Sequence, residues 1–357
     1  MKHRKILASL LAVTIFAAAC APAPAPAAPT ATAPTATATP DAPADPAPAG
    51  DEILVRMAFE NPLTDPIGRS LLYWQENLNA MNVGLRAELF PDSQLGSKNE
   101  VIDSMLLGEA VITLADGTFY ADYGVPDFGI YFGPFFFNDW DEVWRFHNSP
   151  WFAEQVAILQ DRGITMLSHN WRFGARHLMT TSPVRTVEDL QGLRIRVPAN
   201  RIQTLGFDAM GAAATGMPLG DVYQALQTGV VDGVENPLSV LYGRMFHEVT
   251  DYIILTGHVL NATTWVTSAD WFDTLTSEQQ NALIDTMNAA GEFNNLLAEE
   301  ADAEYKQRFI DAGITVYEPS EEVLQAFRDR SAVFYTWGHE FGWSDGLHER
   351  VLEALGR

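Results

Sequence analysis

The sequence predicts an α/β protein of two lobes, on three observations. Runs with the alternation and β-branched content of strands take turns with runs of helical periodicity along residues 53–340. Once an N-terminal stretch of different composition is set aside, about 300 residues remain, more than one such core usually holds. After residue 50 no apolar run reaches the length of a membrane span, and nothing repeats with the period of a solenoid.

Strands are expected at residues 53–60, 83–90, 110–114, 164–168, 193–197, 230–235 and 262–267. Helices are expected at 66–81, 98–107, 139–161, 201–210, 221–228, 277–310 and 321–340. Their alternation argues for largely parallel sheets, because parallel neighbours need a crossover that a helix supplies. Thr276 followed by Gln279 reads as a capping box that opens the longest helix. Pro183, Pro198 and Pro237 interrupt the runs where the chain should turn.

The first fifty residues stand apart. Lys2, His3, Arg4 and Lys5 form a basic head before an apolar run at 6–19, the pattern of a signal peptide and too short for a permanent span. Cys20 is the only cysteine, which excludes an internal disulfide and a multi-cysteine metal site. Ala17-Ala-Ala-Cys20 resembles a bacterial lipobox, in which the thiol is acylated and the chain cut just before it, with Ala17 where leucine is usual. Residues 21–50 are nearly all Ala, Pro and Thr, a composition that buries nothing and favours extended chain. The expectation is a signal peptide at 1–19, a lipidated Cys20 with a tether to residue 50, and a domain held outside the cytoplasmic membrane by that anchor alone.

The formal charge of −24 argues against nucleic acid as a partner. A surface so acidic also repels anions at long range, so any anion it binds needs a local basic pocket, and single arginines become informative. Enzyme motifs are missing from the sequence. His247-Glu, His339-Glu and His348-Glu have Asp251, Trp343 and Leu352 where a second histidine would complete a zinc pair. Gly96-Ser-Lys98 has the wrong order for a phosphate loop, and there is no nucleophile elbow. Asp232 and Glu235 read as turn and cap residues, since three positions along a strand end they point in different directions. No cofactor is implied.

Three ordered segments carry more. They are Asn170-Trp-Arg-Phe-Gly-Ala-Arg176-His, Thr186-Val-Glu-Asp-Leu-Gln-Gly-Leu-Arg-Ile-Arg196-Val-Pro, and Asp221-Val-Tyr-Gln-Ala-Leu-Gln-Thr-Gly-Val-Val-Asp-Gly-Val-Glu-Asn236-Pro. With Phe90-Pro-Asp-Ser-Gln-Leu-Gly96, Gly133-Pro-Phe-Phe-Phe137 and Thr256-Gly-His258, they make the chain resemble the solute-binding proteins of tripartite ATP-independent periplasmic (TRAP) transporters, of the dicarboxylate-binding type. The resemblance implies a two-lobed periplasmic-binding-protein fold that closes on a small organic acid and hands it to the membrane permease subunits. It implies lobe I at residues 51–173 with about 262–300, and lobe II at 174–261 with about 301–357. The competing readings are a ligand-binding sensor subunit and an extracellular enzyme acting on organic acids.

The resemblance assigns Arg176 a paired bridge to the ligand carboxylate, and Arg196 and Asn236 further polar contacts. The residues themselves are compatible: Arg194 and Arg196 alternate with Ile195 and Val197, giving one basic strand face, with Arg194 the solvated member. The planar fork of arginine suits a carboxylate. Asp116 matches a position that accepts from ligand hydroxyls or amines, Lys98 could meet a second carboxylate, and Leu219, Tyr223 and Trp171 are candidate pocket walls.

Overall fold

The computed structural model describes residues 52–357. The strands are β1 (Ile53–Ala58), β2 (Leu85–Phe90), β3 (Val111–Ala115), β4 (Ile164–Thr180), β5 (Arg194–Val197), β6 (Ala213–Gly216), β7 (Gly233–Pro237), β8 (Tyr252–Ser268) and β9 (Thr315–Tyr317). The helices are α1 (Pro66–Ala80), α2 (Lys98–Leu106), α3 (Gly117–Asp122), α4 (Trp140–His147), α5 (Pro150–Asp161), α6 (Arg201–Ala209) and α7 (Val222–Gln227). They continue with α8 (Leu238–Gly243), α9 (Ala269–Asp273), α10 (Ser277–Asp311), α11 (Glu321–Ser331), α12 (Gly338–Phe341) and α13 (Leu347–Leu355). None of these helices is long and apolar enough to cross a membrane.

The strands lie in the order β2-β1-β3-β8-β4-β7-β5-β6, with β9 beside β8. The sheet is mixed. β1 runs parallel to β2 and β3, and β5 parallel to β6 and β7, as strand–helix alternation predicts. In the middle, β8 is antiparallel to β3 and β4, and β4 to β7. These two 17-residue strands are far longer than the runs expected at 164–168 and 262–267. Their period-2 pattern was unreadable because β4 shifts register against β8 at four places between Met166 and Leu178. Together they carry the chain from one lobe to the other.

Two expected helices are interrupted. The run at 139–161 divides at Asn148-Ser149, where Pro150 cannot donate to a preceding turn and the Ser149 hydroxyl caps α5. The run at 321–340 gives α11, a 3-10 turn and α12. The capping box at Thr276 and Gln279 does open α10, 35 residues long.

One core joins Val55, Leu71, Leu85, Leu114, Trp265 and Met287; two others gather around Val222 and Phe309 and around Ile195 and Phe207. The C-terminal segment divides between them. Phe327 packs with Leu178 and Phe207, whereas Phe334, Val351 and Leu355 join the aromatic core of Phe128, Phe146 and Phe152 built on α2 to α5. That core also takes in Ile202 and Ala209 of α6 and Val259 of β8.

Candidate functional site

In a sheet with parallel halves, the carboxyl ends of the strands face the crevice between them. β1 delivers Glu60 and Asn61 there, β3 delivers Asp116, β5 delivers Arg196 and Pro198, and β7 delivers Asn236. Arg176 enters from β4 where it pairs with Pro237 of β7. Lys98, the first residue of α2, and Leu219 complete a single cavity with them. Six residues singled out in the sequence thus meet: Lys98, Asp116, Arg176, Arg196, Leu219 and Asn236.

Trp171 and Tyr223 do not line this cavity. Trp171 points to the helical side of the sheet, its indole N–H donating to the Met287 carbonyl at 3.1 Å and its ring edge-on to Trp265. Tyr223 lies on α7 with its hydroxyl donating to Glu248 at 2.8 Å. Arg194 is exposed and bridges to Asp232 at 2.6 Å.

The two arginines are held differently. Arg176 donates through Nε and Nη2 to the two carboxylate oxygens of Glu235 at 2.5 and 2.6 Å, and Nη2 also reaches the Glu235 carbonyl. Glu235 is buried, which alone would raise its pKa, but the Arg176 charge and bonds outweigh burial and hold the carboxyl well below its usual range. Behind it, His258 Nε2 lies 3.3 Å from Glu235, and His258 Nδ1 is 2.7 Å from the Thr256 hydroxyl. Glu235 is thus the buried partner of Arg176 rather than a turn or cap residue.

Arg196 is 2% exposed, and both Nε and Nη2 donate to one backbone carbonyl, that of Met217, at 2.9 and 2.6 Å. Its Nη1 is buried without a hydrogen-bond partner among the described residues. Burial lowers its pKa to about 10, so it remains a cation at neutral pH. A buried charged N–H left unpaired is costly, so an acceptor brought to it within the cavity would be favoured.

A family model for bacterial extracellular solute-binding proteins, family 7, matches residues 57–338. The chain belongs to that family. It is 27% identical over 259 residues to a C4-dicarboxylate-binding periplasmic protein of Rhodobacter capsulatus, covering 70% of this chain and 78% of the relative. A TRAP periplasmic solute-binding protein from Ochrobacterium anthropi with bound L-fuconate superposes with TM-score 0.81 at 35% identity, over 85% of this chain and 99% of that one. One from Actinobacillus succinogenes with bound L-galactonate gives TM-score 0.81 at 32% identity, over 85% and 99%. This family 7 protein is a TRAP solute-binding subunit with the two-lobed fold.

The family 7 cleft is nearly shut. The cavity measures about 20 Å³ and leads into a compartment of about 110 Å³ that shares Glu60, Lys98, Phe119, Arg196 and Pro198. A concavity of about 660 Å³ beside α6 and Trp337 is larger but holds no buried unpartnered cation, so volume alone does not locate the site. Glu60, Asn61 and Glu235 escaped the sequence reading. The available signal for the first two was their place just after a strand, before Pro62.

Proposed function

We propose that this protein captures a small organic acid outside the cytoplasmic membrane and delivers it unchanged to the TRAP permease, with Arg196 as the anchor of the ligand carboxylate. The observation that carries the reading is the buried, unpartnered Nη1 of Arg196 at the carboxyl end of β5. A carboxylate there supplies the missing acceptor and completes a two-pronged contact. Arg176, whose Nε and Nη2 are committed to Glu235, takes the second role of fixing the cavity wall and its field. Asn236 and Asp116 orient the rest of the molecule. Asp116 accepts from Thr118 N and Oγ1 through Oδ1, which leaves Oδ2 for a ligand hydroxyl.

The lobes are proposed to divide along β4 near Arg172 and Gly174, where its register against β8 shifts. Cys20, which lies outside the described residues, carries a lipid that keeps the protein at the membrane. Cys20→Ser should release it into the soluble fraction. A thermal-shift screen against sugar acids, dicarboxylates and neutral sugars tests the function. Acids should raise the melting temperature as RT ln(1 + [L]/Kd) requires, and neutral sugars should not. The acid should be recovered intact after incubation; a time-dependent product would favour the enzyme alternative.

A further inference from the structure

Three cations line the cleft, and two are already matched. Arg176 is committed to Glu235. Lys98 Nζ lies 3.4 Å from Glu60 Oε2 and 4.5 Å from the centre of the Phe119 ring, with the Lys98 and Glu60 side chains only 10% and 15% exposed. Arg196 alone keeps a buried N–H without a protein acceptor. On the acceptor side, Asp116 forms no ion pair among the described residues. Asn61 gives its side-chain N–H to Asp65 at 2.6 Å, leaving its side-chain oxygen Oδ1 uncommitted. Asn261 lines the same cavity with a buried, unpartnered Oδ1.

Resting on the reading of Arg196 as the anchor, we infer that the cleft selects a polyhydroxylated monocarboxylate, and that the Glu60–Lys98 pair excludes a second carboxylate. Uncommitted acceptors need hydrogens to receive, and a hydroxylated chain has them where a bare dicarboxylate has none. A second carboxylate at Lys98 would come to lie beside Glu60. That would leave two anions facing each other in a compartment whose walls already include both residues. Lys98 is therefore the cation matched by Glu60, and Arg196 is the one that keeps an unpaired N–H.

The test pairs compounds that differ in one group. The hexonate that binds the protein tightest, of a set including L-galactonate, is compared with the aldarate of the same carbon chain, whose terminal hydroxymethyl is a carboxylate; for L-galactonate this is galactarate. Titration calorimetry should give the hexonate an affinity at least about 100-fold greater. Glu60→Gln keeps the shape, removes the charge and frees Lys98, so it should narrow the ratio to within about tenfold. Adding Lys98→Gln to that variant removes the freed cation and should widen the ratio again. The inference is overturned if the wild type binds the aldarate or succinate as tightly as the hexonate, or if the ratio is unmoved in a Glu60→Gln protein with wild-type circular dichroism. Failure of the anchor reading looks different: Arg196→Ala would then bind the hexonate as the wild type does. If no acid of either class binds the folded protein, both fall.

Discussion

Arg176 and Glu235 sit 59 positions apart in the chain and form a two-pronged pair that water barely reaches. Removing one partner of such a pair strands the other charge, so Glu235→Gln should destabilise the ligand-free protein by about 3 to 5 kcal/mol, read as a shift in the denaturant midpoint. Asp232→Asn, where the partner Arg194 is half in water, should cost under about 1 kcal/mol. The contrast explains what was legible. Residues whose chemistry is written in their own neighbourhood, such as Arg196 within an alternating strand, were readable as candidates. Glu235 was not, because its role comes from a strand pairing that no local pattern records. Trp171 and Tyr223 failed for the converse reason: an aromatic residue near a motif says nothing about which side of the sheet it faces.

At the scale of elements, the broken ladder of β4 is repaired by a helix. Asn295 of α10 accepts from the Arg172 N–H at 2.7 Å and donates to the Asn170 carbonyl at 2.8 Å, while Asn294 donates to the Arg172 carbonyl at 2.8 Å. Two asparagine side chains thus stand in for a neighbouring strand. Asn295→Ala leaves a backbone donor and acceptor unpaired and should cost about 1 to 3 kcal/mol in chemical denaturation. The close approach also needs Gly291, where a Cβ would fall 2.2 Å from Asn170 Oδ1 and 2.8 Å from Trp171 Nε1. Gly291→Ala should destabilise despite the better helix propensity of alanine, by about 1 to 3 kcal/mol. A boundary set by a cap was legible here, at Thr276. The lengths of β4 and β8 were not, since bulges erase the alternation that marks a strand.

For the whole molecule, burial sets the response to acid. His147 and His177 have pKa values pushed down to about 3 by burial, and His258 is lowered for the same first reason. A base whose pKa falls on folding takes up protons in the unfolded chain first, so its stabilising share is intact above about pH 6.5 and is lost as pH drops. Asp65, raised to about 7 by burial, has the opposite sign and offsets one of the three. The melting temperature of the ligand-free protein should therefore fall by several degrees between about pH 7.5 and about pH 5. The division into two lobes was readable from length and alternation, but the core that Phe334, Val351 and Leu355 join was not, because an amphipathic helix does not say which core it completes. The affinity of Arg196→Ala for the acid that binds the wild type best, measured by titration calorimetry on folded protein, tests the anchor role most directly. A loss of roughly 30-fold to several thousand-fold is predicted, because the ligand carboxylate would be left without its partner in a closed, dry cleft; an affinity within a few-fold of wild type would contradict it.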